Sequence, residues 1–212
     1  MRGTFFKKIS LILFWSILFT LSVYFYFVDV LPYFDIPPGE KIGNRNWVKI
    51  VHFIAAGCTL FLGPLQFWPF IRNRFKKWHR IAGKVFIGGS IVSALMVFYL
   101  LSDYRLPGAI PSLGFLAVIW LFTTVAAFWF ATKKNFKLHK QFMIRSYVCA
   151  LAFVFIRFLP YINEYIGVFN YLENKEMRST VYEWICWVYP LMITEFILIW
   201  WPSIEKQRTL MK

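Results

Sequence analysis

Long apolar runs alternate with short polar segments along the chain, and each run has the length of a membrane-crossing helix. About 20 apolar residues in a helix span the hydrocarbon layer of a bilayer. Pro160 and Pro202 are expected to end the fifth and sixth runs, because proline disfavours a continuing helix. The runs predict helices over residues 9–28, 47–70, 81–101, 112–132, 141–162 and 181–201. We therefore predict an all-α integral membrane six-helix bundle, a single domain over residues 1–212 with its core in helices two to five.

Small and polar residues recur at spacings of three or four on the second and third predicted helices, so that each set lies along one helix face. The second helix carries His52, Ala56, Thr59, Gly63 and Gln66, and the third carries His79, Gly83, Ser90 and Ser93. Such stripes allow membrane helices to pack closely, and they also line binding sites. Close packing is the more common use, and we expect it here.

Composition agrees with a membrane protein, because 59% of the residues are hydrophobic and 22% are aromatic. The formal net charge of +14 does not indicate a nucleic-acid partner, since the cations lie in short clusters between the apolar runs. Four clusters, at the N-terminus, residues 72–84, residues 133–145 and the C-terminus, fall on one side only if the number of spans is even. The positive-inside rule then predicts a cytoplasmic-membrane protein with both termini inside.

This topology predicts two groups of polar side chains in the membrane. The outer group is His52 and Arg157, which we expect to face each other across a shallow cavity. The inner group is His79, Arg80, His139, Arg145 and Glu195. We expect Arg145 and Glu195 to form an ion pair, because each is expensive alone in hydrocarbon.

Several of these residues lie in short motifs: His52-x10-Gly63-Pro64-x-Gln66-Phe67, His79-Arg80-x2-Gly83-Lys84, His139-x3-Met143-x-Arg145-Ser146-Tyr147 and Arg157-x2-Pro160. In order and spacing they resemble the predicted membrane proteins grouped as domain of unknown function 2306. The resemblance covers residues 51–161. It implies a multi-pass membrane protein in which His52, Gln66, His79, Arg80, Gly83, His139, Arg145 and Arg157 are motif positions, and it implies no role for them.

A looser similarity is to cytochrome b561-like six-helix bundles, in which histidine pairs on nonadjacent helices bind haem b. One of their pairs joins helix three to helix five, where this chain has His79 and His139. The pair that joins helices two and four in those proteins is incomplete here, because the fourth helix has no histidine. The similarity therefore implies at most one haem, held by His79 and His139 near the cytoplasmic face.

Two hypotheses of function follow from these residues. The first is a redox protein with one b-type haem between His79 and His139 that exchanges electrons with a quinone or a metal near the inner face. The second is a non-enzymatic protein that binds a lipid headgroup, a quinone or the helix of another membrane protein. The chain has no nucleotide-binding or zinc-peptidase motif. Cys58, Cys149 and Cys186 show no paired spacing, so we expect buried thiols and no metal site. Whether the protein is an enzyme stays open at this point.

Overall fold

A computed structural model of the chain describes residues 2–34, 46–102, 104 and 106–211, and these residues form helices without any strand. The helices are α1 (Arg2–Asp29), α2 (Asn46–Phe67), α3 (Pro69–Arg74), α4 (Lys76–Leu101), α5 (Ile110–Thr132), α6 (Phe136–Ile166), α7 (Lys175–Glu195) and α8 (Trp201–Leu210). Short 3-10 turns cover Leu31–Phe34 and Pro107–Ala109, and a π-helical turn, Phe196–Trp200, joins α7 to α8. The predicted all-α class is confirmed for the described residues.

Five described segments are long and apolar enough to cross a membrane: Trp47–Phe67, Lys76–Leu101, Pro107–Thr132, Phe136–Ile166 and Lys175–Leu210. The apolar part of α1 for which side chains are described, Leu13–Asp29, is shorter than these five. A membrane protein with several apolar helices is therefore confirmed. The sixth span and the cytoplasmic position of both termini stay predictions.

Several predicted helix ends are wrong, and proline explains most of them. The helix α6 continues through Pro160 to Ile166, because membrane helices tolerate proline where neighbouring groups satisfy the freed carbonyl. Pro202 does not end a helix. It lies in the first turn of α8, where its missing N–H is not needed. Pro69 likewise begins the separate helix α3, so α2 ends at Phe67.

The polar connections are also shorter than predicted. The third predicted helix begins at Lys76 instead of Ile81, and the loop predicted between the last two helices shrinks to residues 167–174. Most of the loop predicted at 29–46 lies outside the described residues. Asn163 and Asn174 account for the shorter loop before α7. Asn163 Oδ1 accepts a hydrogen bond from the Phe169 amide at 2.6 Å, and Asn174 caps the first turn of α7.

The chain divides into two compact units, residues 1–89 and 90–212. In the first unit, α1 packs antiparallel to α2 through aromatic side chains. The Trp15 ring stacks on Phe67 with centroids 5.9 Å apart, and the Tyr26 ring meets Phe61 edge-on at 5.3 Å. The Tyr26 hydroxyl also donates to the Phe53 carbonyl at 3.2 Å. These contacts place the N-terminal half of α1 beside the C-terminal end of α2.

The helix α4 meets α2 at Thr59, which belongs to the predicted stripe of α2, and at Gly89 and Ala55, which lie next to the two stripes. A Cβ atom on Gly89 would lie 2.7 Å from the Ala55 carbonyl oxygen and 3.2 Å from Thr59 Cγ2, so only glycine fits this approach. Thr59 is fully buried, and its hydroxyl donates to the Ala56 carbonyl within α2. The expectation of close packing is confirmed at this crossing.

The second unit contains a bundle of α5, α6 and α7. The hydroxyls of Thr124 and Ser146 hydrogen-bond across α5 and α6 at 2.6 Å, both fully buried. Trp187 Nε1 on α7 donates to Ser112 Oγ on α5 at 2.9 Å, and Ser112 Oγ donates to the Glu183 carbonyl at 2.8 Å. Ala152 and Cys186 pack with Trp187 in the hydrophobic core of this bundle.

The contact at Gly89 yields a test with a neighbouring control. Gly89→Ala forces the methyl group against a backbone carbonyl, and we expect it to lower the free energy of unfolding by about 1–3 kcal/mol. A methyl group added at Gly88 would meet no neighbouring atom within 4 Å. We therefore expect Gly88→Ala to be neutral or to stabilise by up to about 1 kcal/mol, since alanine favours helix. Unfolding of both variants in detergent measures the difference, and equal stabilities would contradict the close approach.

Candidate functional site

Gln66 on α2 contacts the first two turns of α4 through its side-chain amide. The hydrogen-bond network assigns the amide orientation in which Nε2 donates to His79 Nδ1 at 3.1 Å and to the His79 carbonyl at 3.2 Å. In the same orientation Oε1 accepts from the Gly83 amide at 3.3 Å. Gln66 is only 6% exposed, so water does not supply these bonds. Three motif positions, Gln66, His79 and Gly83, thus form one contact between two helices, which we call the Gln66 contact.

The Gln66 contact determines which ring nitrogen of His79 carries the proton. A nitrogen that accepts from an amide N–H bears a lone pair, so Nδ1 is unprotonated and the proton of the neutral ring lies on Nε2. Turning the amide over would bring its oxygen to Nδ1. It would also bring two acceptors together, the amide oxygen and the His79 carbonyl. The amide nitrogen would then face a second donor, the Gly83 N–H. The tautomer with the proton on Nε2 therefore avoids both repulsive contacts.

Gly83 leaves room for the same contact. A Cβ atom at this position would lie 3.1 Å from the terminal amide of Gln66, closer than side chains ordinarily approach. Arg80, the motif residue beside His79, is exposed. All four residues lie in sequence motifs, but the Gln66 contact joins only Gln66, His79 and Gly83.

His139 has the opposite tautomer. The turn before α6 contains Lys134 at φ 57°, and Asn135 Oδ1 caps α6 by accepting from the Leu138 amide. His139 in the first turn then lies 2.8 Å from the Ala127 carbonyl on α5 through its Nδ1. A carbonyl only accepts, so Nδ1 donates and the lone pair of the neutral ring is on Nε2.

Arg145 on α6 and Glu195 at the end of α7 form the predicted ion pair. Both Arg145 Nε and Arg145 Nη2 donate to the carboxylate, the second at 2.8 Å, which gives a two-pronged contact. The Arg145 side chain is 12% exposed and that of Glu195 is 36% exposed. This prediction is confirmed.

Arg145 also contacts an aromatic ring. Its guanidinium lies over the Phe142 ring, 5.1 Å from the centroid, and its buried Nη1 has no hydrogen-bond partner among the described residues. The π-helical turn Phe196–Trp200 begins directly after Glu195. The ion pair therefore joins α6 to α7 at the point where the α7 backbone changes its geometry.

Arg157 on α6 has partners that the sequence analysis does not identify. Its Nη1 donates to the Phe153 carbonyl at 3.0 Å, and its guanidinium lies over the Phe153 ring at 3.8 Å. The charge of Arg157 also acts on Glu183 of α7, whose carboxylate accepts from the Tyr104 hydroxyl at 2.8 Å. Removal from water raises the pKa of Tyr104 above its usual value, and the neighbouring Glu183 raises it further.

Glu183 is detectable by the same signal that identifies Glu195, an acid inside an apolar run. The predicted helix start at residue 181 places Glu183 at the membrane surface, where an acid needs no partner. Because α7 begins at Lys175 instead, Glu183 lies about two turns inside the helix. The difference in helix start explains why this residue is missed.

The other predicted pairings join the two units and stay predictions. They are His79 with His139 and His52 with Arg157. His52 is half-buried on α2, and its ring meets Phe53 edge-on at 5.6 Å. Among the described residues, no three His, Cys, Asp or Glu side chains are grouped to hold a metal ion. The three cysteines are free, with Cys149 and Cys186 buried and Cys58 half-buried.

A family model described as "Predicted membrane protein (DUF2306)" matches residues 49–198. The chain belongs to this family. The DUF2306 match begins in α2 and ends just after α7, and it includes every candidate residue from His52 to Glu195. No curated protein matches the chain, and no solved structure matches it. The similarity to cytochrome b561-like proteins is therefore not shown by these comparisons.

The Arg145–Glu195 contact predicts strong coupling in a double-mutant cycle. Glu195→Ala leaves a buried guanidinium without its carboxylate, so we expect a larger loss of stability than in the Arg145→Ala/Glu195→Ala protein. The coupling energy should be about 1–3 kcal/mol. Glu205→Ala on exposed α8 is the matched control and should add to Arg145→Ala without coupling. Unfolding in detergent measures all the variants, and additive losses for Arg145 and Glu195 would contradict the pair.

Proposed function

We propose that this DUF2306 protein is a non-enzymatic binding protein of the cytoplasmic membrane whose ligand is a lipid headgroup. The Gln66 contact carries the proposal. It uses His79, the best candidate for a cofactor ligand on the first unit, as a hydrogen-bond acceptor within the protein. A quinone and the helix of another membrane protein are the other ligands that the same polar positions suit.

The internal bonding of the motif side chains supports this function. Gln66 and His79 join α2 to α4, His139 joins α6 to α5, and Arg145 joins α6 to α7 through Glu195. In hydrocarbon, polar side chains that bond each other across helices stabilise the bundle. Residues that bond across helices hold the helices at fixed spacings. The lipid headgroup then binds at the protein surface between bilayer and cytoplasm.

The charge pattern supports the topology within this proposal. Six spans with both termini in the cytoplasm bring all four basic clusters to the side where the positive-inside rule expects them. Anionic lipids are attracted to such clusters on the cytoplasmic leaflet. The proposed ligand and the proposed orientation therefore depend on the same cations.

A b-type haem between His79 and His139 is the second candidate, and the bonding of His139 favours it. Histidine ligands of haem iron ordinarily donate through Nδ1 and coordinate through Nε2, as the His139 bond to Ala127 allows. His79 does not fit, because Gln66 donates to its Nδ1 and its Nε2 carries the proton. Ligation by Nε2 would require two repulsive contacts at the Gln66 amide.

The visible spectrum tests the proposal against the haem hypothesis. The protein is expressed with a haem precursor supplied, purified in detergent and assayed by pyridine haemochrome. We expect no Soret band and no stoichiometric haem in the wild type. Stoichiometric haem that is lost in both His79→Ala and His139→Ala, and retained in His52→Ala, would overturn the proposed function.

A further inference from the structure

The segment that joins α2 to the second turn of α4 combines exposed cations with exposed aromatic rings. We call residues 68–84 the basic–aromatic connector. Trp68, Phe70, Phe75 and Trp78 are 58%, 60%, 46% and 66% exposed. The cations between and after these rings are also exposed, namely Arg72, Arg74, Lys76, Lys77, Arg80 and Lys84. Aromatic rings of this kind in a membrane protein lie at the level of the lipid headgroups.

No acidic residue offsets these six charges nearby in the sequence. Between Glu40 and Asp103 the chain contains no Asp or Glu. Asp29, the last residue of α1, lies at the far end of the first unit, because the Trp15–Phe67 stack places the other half of α1 beside the connector. Asp29 is the only acid among the described residues of this unit, so none of those residues offers a carboxylate beside the connector.

The surface of the connector has both polar and apolar parts. A shallow depression of about 340 Å³ is lined by Pro69, Phe70, Asn73 and Arg74. Arg74 offers a planar set of donors suited to a phosphate, and the Asn73 amide offers another donor. Phe70, which meets Phe75 edge-on at 5.7 Å, supplies an apolar wall. A phosphate joined to an apolar group matches this combination better than a free phosphate ion does.

We infer that the basic–aromatic connector binds the headgroup of an anionic phospholipid. This inference rests on the proposed function, because it names the lipid class and the surface that binds it. Arg72 and Arg74 contact the phosphate, while Trp68 and Trp78 lie against the glycerol and upper acyl region. A positive-inside signal alone requires only Lys and Arg. The interleaved aromatic rings and the depression are additional features that suit a lipid.

The second basic connector provides a matched control. Residues 133–140 carry four lysines, Lys133, Lys134, Lys137 and Lys140, all exposed, with no arginine. Replacing these four by Gln removes as much charge as the quadruple variant Arg72→Gln/Arg74→Gln/Lys76→Gln/Lys77→Gln. Nonspecific attraction to an anionic surface falls equally in both. Only the quadruple variant of the basic–aromatic connector removes the proposed site.

The experiment measures phospholipid retained by the full-length protein. Protein from nanodiscs of mixed phosphatidylcholine and phosphatidylglycerol is transferred to detergent, and native mass spectrometry counts the bound lipids. We expect the wild type and the 133–140 variant to prefer phosphatidylglycerol, and the connector variant to lose this preference about tenfold. Equal losses in the two variants, or no preference in the wild type, would overturn the inference.

Two further arms make the outcome specific. Trp68→Leu/Trp78→Leu keeps all the cations and hence the topology signal, so it tests the site even if the quadruple variant fails to insert. We expect it to weaken retention of phosphatidylglycerol, and unchanged retention would contradict a lipid site.

Inorganic phosphate should not raise the unfolding temperature of the wild type, and stabilisation by phosphate alone would assign the site to a free anion. A haem-free protein without preference for phosphatidylglycerol would refute the anionic lipid and its site on the connector, because a different headgroup could still be the ligand. Stoichiometric haem held by His79 and His139 would instead refute the proposed function.

Discussion

Polar groups in hydrocarbon have no water to bond, so each must find a partner within the protein or on the membrane surface. The Gln66 contact meets this constraint for the side-chain amide of Gln66 and the imidazole of His79, which bond to each other, while the amide also bonds to the backbone of α4. The absence of a side chain at Gly83 leaves room for the amide where it reaches α4. Gly89, about two turns further along α4, allows the same close approach to α2. The crossing of these two helices depends on both glycines.

The same constraint determines what the histidines can do. A hydrogen bond to one ring nitrogen decides which nitrogen keeps a lone pair, so His79 presents Nε2–H and His139 presents an unprotonated Nε2. Two haem ligands would need the same tautomer. A donor on His79 and an acceptor on His139 instead suit structural hydrogen bonds or a polar ligand. The chemistry of these positions is therefore decided by Gln66, which lies in the first motif, and by the Ala127 carbonyl, which lies in none of the motifs.

The sequence predicts the helical class and the Arg145–Glu195 pair, because both follow from energetic costs that are large in a membrane. Apolar length identifies a span, and two opposite charges at similar depth require each other. Helix ends are predicted less well, since Pro160 and Pro202 are tolerated where neighbouring groups or a first turn accommodate them. The Gln66 contact is not predictable in the same way. The stripes identify the faces of α2 and α4 that pack together, but the spacing of their residues does not specify that the Gln66 amide bonds to His79 and Gly83.

The tautomer of His79 tests the central claim most directly. Nitrogen NMR of protein labelled with ¹⁵N-histidine distinguishes a protonated from an unprotonated ring nitrogen. The signals that disappear in the His79→Gln variant are those of the His79 ring. The account predicts that the neutral His79 ring carries its proton on Nε2, and that Gln66→Leu removes this preference. A proton on Nδ1 of His79 in the wild type would contradict the Gln66 contact and return His79 to the set of cofactor ligands.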